Sequence, residues 1–214
     1  KMFLSDTFIL FDDVQIPNST SYANRIDIKN HQGKISITVP IFAKNGQLYK
    51  DAKIVPGKWR KKIIKALEIS YRKSKFFENY FSDISSVIED ESIEYLVDLN
   101  YKLILLIIKA FNQKTKICFS SEILHKKEEN SLENILSLLK SINATSYLSG
   151  NGEGSKKYIR ENVFKEQNIK LIWQDFKHPV YPQLYNNFLP NLSIIDFIFN
   201  CGGDISLIIE RNIE

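Results

Sequence analysis

Apolar and polar positions follow three rhythms along this chain. The first is continuous: Thr7 to Asp12 reads Thr-Phe-Ile-Leu-Phe-Asp, which predicts a strand buried on both faces. The second has a period of two. Arg25 to Asn30 and Lys34 to Ile41 alternate around Asn30-His31-Gln32-Gly33, which predicts a β-hairpin with a Gly-containing turn. Ala52 to Val55 reads as a further short strand, before the Pro56-Gly57 break. The third rhythm is helical. From Lys58 to Lys73, Trp59, Ile63, Ala66/Leu67 and Ser70/Tyr71 share one face, while Lys61, Lys65 and Arg72 share another with Glu68. Phe76 to Phe81 predicts a shorter aromatic helix. Ser92 to Asn112 predicts the longest helix; it is apolar nearly all round after Tyr101 and therefore central.

The last third alternates between strand and helix patterns. Lys116–Phe119, Thr145–Leu148 and Lys170–Gln174 read as strands, and Ser131–Ser141 and Ser155–Glu166 as helices, with Ser131 as the expected N-cap and Asn134 at N3. Such alternation implies parallel strands joined by right-handed crossovers. The expected fold class is α/β: a mainly parallel sheet covered by helices, with a β-hairpin insertion and a helical segment at about 58–112. No repeat, long linker or low-complexity tract divides residues 1–214, so one domain is expected. Ligands of such sheets collect at the carboxyl ends of the strands, where Asp12-Asp13, Ser120-Ser121, Ser149-Gly150 and Asp175 stand.

Composition narrows the classes. At 214 residues and 43% hydrophobic content, the chain has ample material for its own core. Cys118 and Cys201 are far apart, and His31, His125 and His178 are scattered; this argues against a disulfide framework or structural zinc, and for a reducing cytoplasm. The longest strongly apolar run, Leu103 to Ile108, is flanked by Lys102 and Lys109, and a membrane span needs roughly 20 residues. The opening Lys-Met-Phe-Leu-Ser-Asp leads abruptly into a strand and reads as a cut start. The net charge of +4 is uneven: residues 44 to 75 carry eleven Lys/Arg against Asp51 and Glu68. A local basic patch suits an anionic small ligand or a membrane surface better than duplex nucleic acid.

Several motifs carry candidate chemistry, each with a structural counterpart. Asp12-Asp13-Val14-Gln15 ends the first strand; paired carboxylates there can hold a divalent metal or act as a base, or one can cap a turn or pair with Arg25. Ser149-Gly150-Asn151-Gly152-Glu153-Gly154-Ser155 joins a strand to a helix. It can cradle a phosphate or serve as a Gly-rich turn capped by Ser155, and Glu153 opposes an anion. Trp59-Arg60-Lys61-Lys62 can meet a diphosphate or anionic lipid, or form a solvated face whose stems cover apolar surface. His178, held between prolines with Tyr181, is a candidate acid/base or a structural imidazole. Asp196, inside a short apolar helix, either binds a ligand or acts as a hydrogen-bonding strut.

Ordered pieces recur along the chain: Phe11-Asp12-Asp13-Val14-Gln15, Asn24-Arg25-Ile26, Thr38-Val39-Pro40, Trp59-Arg60-Lys61-Lys62, Ser120-Ser121-Glu122 and Tyr147-Leu148-Ser149-Gly150. The series closes with Phe176 through Gln183, Ser193-Ile194-Ile195-Asp196 and Asn200-Cys201-Gly202. In this order the pieces resemble the WbqC-like family of bacterial surface-polysaccharide gene clusters. The resemblance implies a role in O-antigen or related glycan biosynthesis, modifying a nucleotide-activated or lipid-linked sugar, and leaves the reaction open. The first hypothesis is a group transferase acting on an activated sugar or its donor. On that hypothesis His178, Asp13 and Asp196 are the catalytic candidates, and Asp12, Gln15, Asn24, Arg25, Lys61, Ser149, Gly150, Tyr181 and Asn200 the substrate-binding ones. The expected partner is an activated sugar or nucleotide-linked small molecule, without nucleic acid or a membrane span. Cofactor, sugar and oligomeric state stay open. Family members carry an extra strand with a His/Gln-Pro segment upstream of Lys1, and a doubled Asn-Arg where this chain has Tyr22-Ala23 before a single pair. Two rivals stand beside the transferase: a nucleotide-dependent ligase or nucleotidyltransferase, on a fold-level analogy, and a non-catalytic glycan- or partner-binding protein.

Overall fold

The computed structural model describes residues 1–16, 22–42, 44–128 and 130–209. The strands are β1 (Thr7–Leu10), β2 (Arg25–Asn30), β3 (Gly33–Thr38), β4 (Lys116–Phe119), β5 (Ser146–Gly150) and β6 (Lys170–Gln174). The helices are α1 (Trp59–Tyr71), α2 (Phe77–Glu89), α3 (Leu96–Ala110), α4 (Ser131–Ser141), α5 (Glu153–Tyr158), α6 (Glu161–Glu166), α7 (Ile194–Cys201) and α8 (Ser206–Ile209). Contacts gather these elements into two compact units. Unit 1 holds residues 1–12 and 114–177, and unit 2 holds residues 13–113 and 178–209.

Unit 1 contains the βα alternation. β1 pairs in parallel with β4, Thr7 opposite Lys116 through Leu10 opposite Phe119. β5 pairs in parallel with β6, Ser146 opposite Lys170 through Gly150 opposite Gln174. Leu136 and Leu139 of α4 pack with Ile159, Phe164 and Ile169, and the Tyr147 and Phe164 rings stack at 5.5 Å. The expected mainly parallel sheet is thus found in part. Among the described residues there are two parallel pairs and one antiparallel hairpin, in an α/β chain.

Unit 2 is the hairpin with the helical segment. β2 and β3 pair antiparallel from Arg25–Thr38 to Asn30–Gly33, as the alternation predicts, and Gly33 takes the positive φ of 116° that closes the turn. Ile28 of the hairpin joins Ile63, Leu67 and Tyr71 of α1, Ile84 of α2 and Phe199 of α7 in one core. At the end of α7, Gly203 lies against the last carbonyl of α3. A Cβ there would meet the Ala110 oxygen at 1.9 Å, so no side chain fits.

Five sequence expectations need correction. Ala52–Val55 is not a strand but makes isolated bridges, Ile41 with Ile54 and Lys53 with Tyr95, because Ile54 N–H donates to the Glu94 carbonyl and the Ala52 carbonyl accepts from Leu96 N–H. The aromatic helix runs on to Glu89, and the long helix starts at Leu96 rather than Ser92. Residues 155–166 form two helices, since Ile159 is extended and the Arg160 guanidinium donates to the Lys156 carbonyl at 3.1 Å, the acceptor a continuing helix would use. Finally, Asn130 and not Ser131 caps α4: its Oδ1 accepts from Leu132 N–H at 2.8 Å. Asn130→Ala is expected to destabilise unit 1 by about 1 kcal/mol, measured as a shift in chemical-denaturation midpoint.

Candidate functional site

The clearest polar constellation of unit 1 follows from strand register. Because β1 and β4 run parallel and in step, the residues just past their carboxyl ends, Asp12 and Ser120-Ser121, come together. Asp12 is 5% exposed. Its Oδ1 accepts from the Ser120 hydroxyl at 3.1 Å and from Ser121 N–H at 2.9 Å, and its Oδ2 accepts from the Ser121 hydroxyl at 2.6 Å. A buried carboxylate with three donors is fixed in place, and it ties the two strand ends together.

The second pair of strands ends on Ser149 and Gly150. Ser149 is buried, and the β5–β6 ladder extends past it through Asn151 N–H to the Gln174 carbonyl at 3.1 Å. The Lys1 ammonium approaches Gly150, 3.4 Å from where a Cβ would stand, and the Ser155 hydroxyl is 3.9 Å from the same point. A cation therefore faces Gly150, the last residue of β5, where no side chain covers the backbone. Asp175, just past β6, is exposed.

In unit 2, the closing segment builds a buried polar network. Asp196 is 1% exposed, and its Oδ2 accepts from the Tyr181 hydroxyl at 2.8 Å, while Oδ1 has no hydrogen-bond partner. Burial raises the Asp196 carboxyl above its ordinary range, against the opposing pull of the Tyr181 and Tyr71 hydroxyls and the Lys29 charge. Lys29 is 2% exposed and donates to Gln183 Oε1 at 3.2 Å and to the carbonyls of Tyr185 at 3.2 Å and Asn187 at 2.6 Å. Burial lowers its ammonium, and Asp196 acts the other way. Asn200 donates to the Asp196 carbonyl at 2.7 Å and accepts from Leu184 N–H at 3.2 Å. His178 is bound at both ring nitrogens by backbone: Nδ1 meets the Pro179 carbonyl at 2.8 Å, and Nε2 accepts from Asn191 N–H at 3.1 Å. One tautomer, protonated at Nδ1, satisfies both.

The other predicted residues are spread over unit 2. Asn24 clasps the hairpin end, with its side chain donating to the Val39 carbonyl at 3.1 Å. Arg25 and Lys61 are exposed on β2 and α1; Gln15, also exposed, bridges Leu48. Asp13 is half-buried. Arg60 leaves the basic face altogether: it is buried and donates to the carbonyls of Ile88 at 2.6 Å and Ile93 at 2.8 Å, with its guanidinium 4.6 Å from the Trp59 ring. Unit 1 thus brings Asp12 together with Ser120-Ser121 and carries Ser149 and Gly150 at the neighbouring ladder. Unit 2 brings together Tyr181, Asp196 and Asn200. Sequence reasoning missed Lys29, Tyr71 and Gln183, since nothing in a period-two strand marks a lysine as buried. Among the described residues no group of three or more His, Cys, Asp and Glu is placed to hold a metal ion, and no helix is long and apolar enough to cross a membrane.

Comparison with known proteins adds two findings. The model of the WbqC-like protein family matches residues 1–206. An uncharacterized protein of Mycobacterium tuberculosis (strain ATCC 25618 / H37Rv), Rv1507c, is 30% identical over 202 residues, spanning 93% of this chain and 85% of that protein. No solved structure matches.

Proposed function

The chain belongs to the WbqC-like protein family, and from that premise we propose that it serves cytoplasmic surface-glycan biosynthesis, binding an activated sugar or its anionic donor at the carboxyl ends of the unit 1 strands. The observation that carries this reading is the Asp12 carboxylate, held by Ser120 and Ser121 at the end of a parallel strand pair. Open α/β sheets bind ligands at that edge. A carboxylate already oriented by three donors accepts a further hydrogen bond from a sugar hydroxyl without reorganising. As that hydroxyl attacks an activated donor, the same carboxylate can take its proton. Lys1 and the backbone at Gly150 supply positive charge and N–H groups for the anionic part.

Thermal shift of the protein against nucleotides, nucleotide sugars and acyl donors, with and without Mg²⁺, tests the reading. A ligand present at 100 times its Kd stabilises the native state by about 2.7 kcal/mol. One class is expected to raise Tm, and Asp12→Asn is expected to weaken that ligand at least about tenfold, the cost of one charge-assisted hydrogen bond. Absence of any shift, or a shift untouched by Asp12→Asn, would remove Asp12 from the site. Dependence on a nucleoside triphosphate together with Mg²⁺ would point instead to a ligase or nucleotidyltransferase.

One observation favours a second reading, a non-catalytic glycan- or partner-binding protein. Both His178 nitrogens are occupied by backbone, which suits a strut that shapes the 178–191 segment. In that case the ligand binds and no product forms.

A further inference from the structure

The outer face of α1 carries charge that the fold of unit 2 does not use. At about 100° per residue, Lys58, Lys61, Lys62, Lys65, Arg72 and Lys73 fall on one side of the helix and its two ends. Ile63, Leu67 and Tyr71 fall on the other side and enter the core. All six cations are exposed, and Glu68 is the one acid among residues 58–73. Lys34, Lys53, Lys102, Lys109 and Lys126 pair with carboxylates at 2.9 to 3.8 Å, whereas among the described residues none of these six cations does. Lys58 stands four positions from Lys62, and Lys61 four from Lys65. Like charges at that spacing destabilise a helix. An anionic partner turns the repulsion into attraction.

Ile69 lies within this face, one turn after Lys65 and one turn before Arg72 and Lys73. Lysine stems that merely covered apolar surface would shield it. Instead it is 54% exposed. An aromatic ring stands beside it: the Tyr185 hydroxyl donates to the Ser70 carbonyl at 3.0 Å, which brings the ring to the last turn of α1, and Tyr185 is 37% exposed. The loop that presents this ring is held against its own preference. Tyr185 and Asn187 both have a φ of 65°, in the left-handed region, and the buried Lys29 ammonium donates to both of their carbonyls.

We propose that this face of unit 2 docks on the surface of an anionic lipid bilayer, with the lysines against the headgroups and Ile69 and the Tyr185 ring in the interfacial layer. Five of the six cations are lysines, compact point charges that need no fixed bidentate partner and so suit a fluid array of headgroups. A soluble polyanion offers the charge but no apolar layer for Ile69, whereas a bilayer interface accepts both an aliphatic side chain and an amphipathic ring. This docking requires nothing of Asp12 or the unit 1 strand ends.

Cosedimentation of the 214-residue protein with vesicles tests the surface. Vesicles of phosphatidylglycerol and phosphatidylcholine in equal parts should retain the protein at low salt and release it at about 1 M salt, where the screening length is about 3 Å. Vesicles of phosphatidylcholine alone should not retain it. Each Lys near an anionic surface strengthens binding about fivefold, so Lys61→Gln/Lys62→Gln/Lys65→Gln should bind about 100-fold more weakly. Ile69→Ser should weaken binding about tenfold, the transfer of half an isoleucine side chain. Lys140→Gln/Lys165→Gln/Lys170→Gln removes the same charge from exposed positions of unit 1 and should stay within about twofold of wild type. The substituted side chains are exposed, and an unchanged Tm verifies that each variant is folded. No retention on anionic vesicles overturns the proposal. Equal weakening by the two triple variants does so too, since binding would then follow net charge rather than this face. An Ile69→Ser variant that binds as wild type also overturns it, and would assign the face to a soluble polyanion.

Discussion

Asp196→Ala is expected to lower the unfolding free energy of unit 2 by about 1–3 kcal/mol, the cost of leaving the buried Tyr181 hydroxyl without its acceptor. Lys29, 2% exposed, would keep its three hydrogen bonds to Gln183, Tyr185 and Asn187 but lose the opposing charge that Asp196 supplies. The Tyr181 hydroxyl would lose its acceptor. Urea denaturation of wild type, Asp196→Ala, Lys29→Met and the Lys29→Met/Asp196→Leu double variant measures the coupling. The double variant should be less destabilised than the sum of its parts by about 1–3 kcal/mol. Strict additivity would show that the two charges do not interact.

The same carboxyl group also carries a pH signature. Its folded pKa is raised, so the stability it contributes is complete below the ordinary carboxylate value of 3.8 and is lost as pH rises through the raised folded value. Asp196→Asn should remove that loss, leaving a flatter stability profile across the window. A slope unchanged by the substitution would place the titration elsewhere.

Arg60→Ala is expected to cost about 3 kcal/mol, while Lys61→Ala, one position along the same helix, should stay within about 0.5 kcal/mol. The Arg60 guanidinium is the donor for two carbonyls, Ile88 in the last turn of α2 and Ile93 beyond it. Those groups are otherwise left unsatisfied, and a cation at a helix C-terminus also interacts favourably with the helix dipole. Losing its contact with the Trp59 ring adds to the cost. Lys61 is exposed, so its removal leaves no orphan. Melting temperatures of the two variants measured side by side decide the matter; equal shifts would return Arg60 to the solvated basic face.

That pair of neighbours shows where the sequence stops being informative. Trp59-Arg60-Lys61-Lys62 reads as a uniform basic run, yet burial sorts its members, because α2 and the turn after it present two carbonyls to one side of α1 only. The strand-end reading of Asp12 and Ser120-Ser121 was legible: a short apolar run ending in polar residues marks a carboxyl terminus, and parallel pairing then aligns the ends. Their mutual hydrogen bonds were not, since 108 positions separate Asp12 from Ser120. Nor did any linker mark the passages at Asp12–Asp13, Gln113–Lys114 and Lys177–His178, where the chain changes unit with no shift in composition.

By itself the sequence determined the hairpin, the helical segment, the β4–α4–β5 and β5–β6 alternation and the family, because each is written in local periodicity or in short ordered motifs. Only the tertiary structure decided which polar groups are buried together: Lys29 with Asp196 and Gln183, Arg60 with two carbonyls, Asp12 with two serines. These are long-range matters of desolvation and hydrogen-bond supply, set by what folds over a residue rather than by its neighbours in the chain.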